Sequence, residues 1–334
     1  MKNIIIIVSS VVILLSVFII SLTVGEIQIK ISDFYSLFGN DNSSIGRTIL
    51  INLRIPRSLL GIAVGGSLGL SGVLLQGVYR NPLVEPYTLG ISGGAAVGVA
   101  IGIISGLHVM SGSIILPITG FVGALLAMTF VYISSLYSKS FTTSNMLLSG
   151  VMFSFISSAA MMLILATTNS ENLHSIIFWT MGSLDESNHV LININVIVAF
   201  AGLGLSYLFV KPLNALRLGE VTAKNLGINT TPNIRYIFII SSLLTGVSVS
   251  VAGIIGFVGL IIPHFARQLV GGDYKLLLFT SFVGGAIFVV ACDTLAKVII
   301  SPNELPIGVI SGILGGILFV FIINKSKNRT SMIV

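Results

Sequence analysis

Residues Gly61–Gly106 read GIAVGGSLGLSGVLLQGVYRNPLVEPYTLGISGGAAVGVAIGIISG. Two glycine-rich apolar segments flank a polar break, Tyr79-Arg80-Asn81-Pro82. Gly61, Gly65 and Gly69 fall four apart, and Gly90, Gly94, Gly98, Gly102 and Gly106 repeat that interval. Four-residue spacing sets each series on one helix face. In lipid, apolar burial does not drive helices together, and such a face lets two backbones approach closely. The stretch reads as a pair of packed membrane helices around a loop of unusual residues. From these glycines alone, tight packing with no further role is an equally good reading.

Composition points the same way. The chain is 54% hydrophobic and only 8% charged, with mean hydropathy +1.04, whereas soluble domains carry about 25% charged residues. It belongs in a bilayer, with no soluble domain left over. A spanning helix needs about 20 apolar residues, and ten such segments fit into the 334 residues as one transmembrane domain, residues 1–334. The net charge of +6 is spread between the spans and does not point to nucleic acid. The one cysteine, Cys292, sits in an apolar run, so an internal disulfide or a cysteine metal site is excluded.

Met1-Lys2 precedes the first apolar run, which lacks a small-residue cleavage site after it and reads as an uncleaved helix with its N-terminus inside. Ser32 is placed to cap a short outer-surface helix, Asp33 to Phe38. Arg54-Ile-Pro-Arg57 precedes span two, which ends at Arg80. Span three starts after Pro86. Spans four and five cover about 114–137 and 144–167. A polar link, Asn169 to His189, holds the only tryptophan, Trp179. Span six ends at Lys211-Pro212. In the charged link that follows, Asn214 is a fair N-cap and Gly227 a fair C′ residue for one short helix. Spans seven to ten follow, the eighth carrying GFVGLIIPHFARQL and the tenth Gly308, Gly312 and Gly316. With both termini inside, twelve of the seventeen Lys and Arg residues fall on the inner side, as the positive-inside rule favours. Arg54, Arg57 and Lys297 remain at the outer side, where snorkelling to headgroups or docking of an acidic partner would each account for them.

Several pieces together resemble one family, the FecCD/BtuC-like permease subunits of type II ABC importers for iron–siderophore complexes, haem and vitamin B12. They are Arg54-Ile-Pro-Arg57, Ser71 to Gln76, Arg80-Asn81-Pro82-Leu83, Pro86 to Gly90, Leu218-Gly219-Glu220, Gly256 to His264 and Glu304 to Gly308. The resemblance covers nearly the whole chain. It implies an all-α fold of ten spans in the cytoplasmic (inner) membrane. It also implies a second permease subunit, identical or related, two ATPase subunits inside and a substrate-binding protein outside. No cofactor is expected on the chain itself, with ATP on the partner ATPase.

By the same resemblance, Arg54 and Arg57, and Lys297 where the family often has arginine, dock glutamates of the binding protein. The link 214–227 is the cytoplasmic coupling region. There Leu216, Leu218, Val221 and Leu226 supply apolar contacts, and Arg217, Gly219, Glu220, Lys224 and Gly227 complete it. Arg80, Asn81, Pro82 and Leu83 form an inner gate, with Thr142 and Thr143 in a second gate. Ser149, Ser154, Ser157, Ser158 and Met161 line the pathway from span five. Without the resemblance, the link reads as an interfacial helix, Asn81-Pro82 as a turn, and each serine as bonded to its own preceding turn. Gln76, His264 and Asp293 are polar groups within spans. His264 reads as bonding a carbonyl freed by Pro263, and Asp293 as an ion pair with Lys297, four residues on.

The chain has no G-x-x-x-x-G-K-[ST] loop to cradle ATP phosphates and no H-E-x-x-H pattern, and its four histidines are scattered. A translocation subunit that borrows ATP energy from a partner fits best, with ferric siderophore the first choice of cargo and haem or cobalamin open. The rivals are an ion-coupled carrier, which would rest on Asp293 alone, and a membrane enzyme, for which no cluster of His, Asp, Glu or Cys can be assembled.

Overall fold

The computed structural model describes residues 2–25, 27, 45–107, 114–137, 143–300 and 303–330. The expected helix Asp33 to Phe38, its cap Ser32 and the gate residue Thr142 lie outside them. Every regular element among the described residues is helical. The helices are α1 (Lys2–Thr23), α2 (Ile45–Tyr79), α3 (Ile91–Ile104), α4 (Ile115–Tyr137), α5 (Thr143–Thr167), α6 (Ser170–Thr180) and α7 (His189–Ser206). They continue with α8 (Val210–Leu216), α9 (Glu220–Asn225), α10 (Thr230–Ala252), α11 (Val258–Val270), α12 (Tyr274–Ile299) and α13 (Ile307–Thr330). Among the described residues seven helices are long and apolar enough to cross a membrane, and three shorter apolar ones, in α3, α11 and α13, complete the ten expected segments.

Helix α2 runs through the middle of the bundle, against α12, α10, α7 and α11. Of its most apolar window 89% is buried, against 6% for α1, which lies on the periphery along α12. Glycine sets how close these helices come. A Cβ on Gly65 would strike the Gly285 carbonyl, one on Gly285 the Gly65 carbonyl, and one on Gly69 the Ser281 carbonyl, so α2 and α12 touch backbone to backbone. Gly94 and Gly123 make the same reciprocal contact between α3 and α4. The two glycine faces therefore do not pack on each other, as the opening stretch suggests; each serves a different partner. The tightest site on α2, Gly72 against the Gly259 backbone of α11, is off the four-residue series. In α13 only Gly308 of the expected stripe makes such an approach, and Gly312 faces open space.

Residues 54–57 do not precede a span but lie within one 35-residue helix. The backbone widens to a π register over Leu50–Arg54, with Ile55 N–H bonding Leu50 O. Pro56, which has no N–H to give, follows directly in the first turn of the α-helical part. Helix α6 arises in the polar link Asn169 to His189: Asn169 Oδ1 caps it by accepting from Asn172 N at 2.9 Å, with Glu171 in its first turn. The link after span six holds two short helices rather than one. Asn214 sits inside α8, its side chain spent on Asp273 and on the N–H of Tyr274. Glycine ends α9 as expected. Gly227 has φ 81°, its N–H bonds Lys224 O, and Ile228 N–H bonds Ala223 O, closing a Schellman motif.

Candidate functional sites at the two ends of the bundle

At one end four charges neutralise one another. Asp293 of α12 is 1% exposed. Arg57 of α2 donates Nε and Nη2 to Asp293 Oδ1 at 3.0 and 2.8 Å. Its Nη1 lies 2.7 Å from Glu304 Oε2. Lys297 Nζ, one turn beyond Asp293, lies 2.7 Å from Oδ2, which is the pair the spacing suggested. Arg54 donates to the carbonyls of Leu22, at 2.7 Å, and Ile27, closing the exit of α1. The three cations expected to face outward thus all turn inward. Each finds an acceptor within the chain, and a buried cation needs one. Only Glu304, with its side chain 48% exposed, offers this network to the outside.

The other end of the bundle brings Arg80, Arg217 and Arg267 together. Arg80 closes α2 in the left-handed region, φ 50°, and Asn81 Oδ1 accepts from Leu83 N at 2.9 Å, so Arg80 to Leu83 is a tight Asx turn that leaves Leu83 exposed. Helix α9 stands beside it, with the ideal Cβ position at Gly219 3.5 Å from Arg80 Nη1. Ala223 anchors α9 from below, and Lys224 pairs with Glu220 at 3.0 Å. Leu218, Val221 and Leu226 point out, exposed by 64, 73 and 61%. Leu216, expected beside them, is buried in the core instead, because it belongs to α8 and that helix packs on α2 and α12.

Glu85, between that turn and α3, is mostly buried, which pushes its carboxyl up to about 7 from an ordinary 4.5. Below pH 4.5 folded and unfolded chains are both protonated. From there to about 7 only the unfolded chain ionises, so stability falls as pH rises, and it levels off above. Glu85→Gln is expected to flatten this slope. Melting curves of both proteins between pH 4.5 and 7.5 read it, and parallel curves would show that burial does not hold the carboxyl neutral.

Gln76 explains the middle of α11. Pro263 cannot donate to Gly259 O, four residues before it, and Gln76 Nε2 takes that carbonyl at 3.1 Å. Sequence reasoning gave this task to His264. Gln76 does it because the Gly72–Gly259 contact brings α2 within reach. On α5, Ser154, Ser157 and Met161 do share a face, but it turns inward. Ser157 is buried beside Gly93, Ser154 Oγ donates to Gly150 O at 3.1 Å, and Met161 packs with Val99 and Ile176. Leu148, Met152, Phe155, Ile156, Met162 and Leu163 form the outward stripe of α5. Thr143 starts α5, and Ser149 lies at the edge of that stripe, both half-buried. Among the described residues no group of three His, Cys, Asp or Glu side chains is placed to hold a metal ion.

Ten apolar helical segments, a charge-balanced cluster at one end and a protruding short helix at the basic end define a multi-pass permease of the cell membrane. The chain belongs to the FecCD transport family, whose model matches residues 13–325. It is 32% identical over 302 residues to the hemin transport system permease protein of Yersinia pestis, covering 89% of this chain and 90% of that one. It is 34% identical over 317 residues to the Fe(3+)-citrate import system permease protein of Bacillus subtilis (strain 168), covering 92% and 91%. A solved structure described as an inward-facing conformation of a metal-chelate type ABC transporter superposes with TM-score 0.84 at 29% identity, over 97% of this chain and 99% of that one.

Proposed function

We propose that the chain is the translocation subunit of an ABC importer, carrying an iron(III)–siderophore complex handed over by an extracytoplasmic binding protein. Two ATPase subunits bind at the α9 end, and a second permease subunit, identical or related, completes the pathway. The observation that carries this reading is the exposed trio Leu218, Val221 and Leu226 on a short helix locked by glycine and a buried alanine. Three large apolar side chains at a polar membrane surface suit the cleft of a partner. The chain's own sequence lacks a phosphate-cradling loop, so ATP belongs on that partner. At the other end, a carboxylate of the binding protein would displace Glu304 from Arg57, the exchangeable contact of the four. Exposed ion pairs give about 0–1 kcal/mol each, so such contacts set register and encounter rate. Haem or cobalamin is the alternative cargo within the family, and one similar permease is named for hemin.

Val221→Asp is expected to abolish uptake while the chain stays folded and membrane-inserted, because a buried carboxylate without a partner is costly at the ATPase cleft. Cells lacking the chain, resupplied with either form, are fed labelled ferric siderophore, haem or cobalamin. Uptake of the siderophore alone supports the cargo; undiminished uptake by the variant would sink the coupling role.

A further inference from the structure

We infer that a cavity of about 460 Å³ at the α9 end of the bundle is a binding site for a phosphoryl anion. Three arginines from separate segments line it: Arg80 at the end of α2, Arg217 between α8 and α9, and Arg267 in the last turn of α11. No Asp or Glu lines it, and among the described residues the ion pairs of the chain lie elsewhere. Arg267 is held in place. Its Nη1 donates to Oε1 of Gln76, a side chain only 3% exposed whose Nε2 is fixed on the broken turn of α11. Gly272 leaves room for the Arg217 guanidinium, which a Cβ there would strike.

A simpler role for these cations is to offset helix carbonyl ends. Helices α2, α8 and α11 all end here. Each helix end carries roughly half a negative charge, so the three together carry about one and a half. Three full positive charges exceed the total, so the cavity keeps a surplus. Planar guanidinium forks match phosphoryl oxygens in pairs. Three apolar helices end at the site, where lipid headgroups would meet it, so the phosphoryl group would come from an anionic lipid or from free phosphate.

The test uses the full chain in nanodiscs, with phosphatidylcholine alone or mixed with phosphatidylglycerol. Native mass spectrometry reads retained phosphatidylglycerol, and calorimetry reads inorganic phosphate. Saturable binding of one probe is expected, and which one binds names the source. Arg267→Gln weakens it roughly tenfold or more. Gln76→Leu also weakens it although all three charges remain, while Lys211→Gln, an equal charge loss on the surface, leaves it unchanged. If Gln76→Leu does not fold, Arg217→Gln takes its place against the same control. Binding of neither probe overturns the site, as would be seen if an acidic side chain of the ATPase were its true occupant. Equal losses in Arg267→Gln and Lys211→Gln overturn it as well.

Discussion

Asp293→Asn is expected to destabilise the folded chain by about 3–5 kcal/mol, the usual consequence of removing one partner from a buried ion pair. The substitution leaves Arg57 and Lys297 facing each other, with Glu304 as the one remaining anion of the network. Three segments come loose together, because the network joins α2, α12 and the link before α13. The double variant Asp293→Asn with Lys297→Met removes one charge of each sign. It is expected to recover much of the loss, since Arg57 keeps Glu304. Melting temperatures in one detergent compare the three proteins. A single variant as stable as the parent would show that Asp293 does not hold the network. The same substitution separates a carrier driven by protons, which would lose transport through Asp293 while staying folded.

The second large effect is steric. Gly72→Leu is expected to abolish the yield of folded chain, while Gly312→Leu changes stability by about 0.5 kcal/mol or less. A Cβ on Gly72 would overlap the backbone of Gly259, which cannot rotate away as a side chain would; at Gly312 nothing lies within 4 Å. Overpacking a core costs about 1–3 kcal/mol even where side chains give way. Separating α2 from α11 also pulls Gln76 off the Gly259 carbonyl, leaving a polar group unpaired in an apolar surround. Monodisperse yield after extraction decides it. Equal yields from the two variants would contradict the close approach.

Some of this could be read from the sequence and some could not, for physical reasons. Gly65 and Gly69 were visible as a face because helical periodicity is local. Their partner Gly285 lies more than two hundred residues away, and nothing in the period names it. Gly72 escaped because it breaks the four-residue series, yet it makes the tightest contact with α11. The Asp293–Lys297 pair was legible because both residues share one turn, whereas the participation of Arg57 depends on how α2 lies on α12. Of the serines grouped by spacing on α5, Ser154 and Ser157 share a face, but Ser149 lies at the edge of the outward stripe and Ser158 is exposed, and spacing does not say whether a face looks inward. Helix α6 had its signals in plain view, Asn169 and Glu171, masked by the polarity of the link. Leu216 looked like its neighbours until the chain turned between α8 and α9.

The central claim is that this chain moves its cargo only when a separate ATPase drives it. The direct measurement is uptake into liposomes by the complex purified gently from its own membrane, with ATP present or absent, beside liposomes holding the chain alone. An ATPase recovered in equal amount and uptake that requires both it and ATP are the expected results. Transport by the chain alone, driven by an ion gradient and indifferent to ATP, would contradict the account.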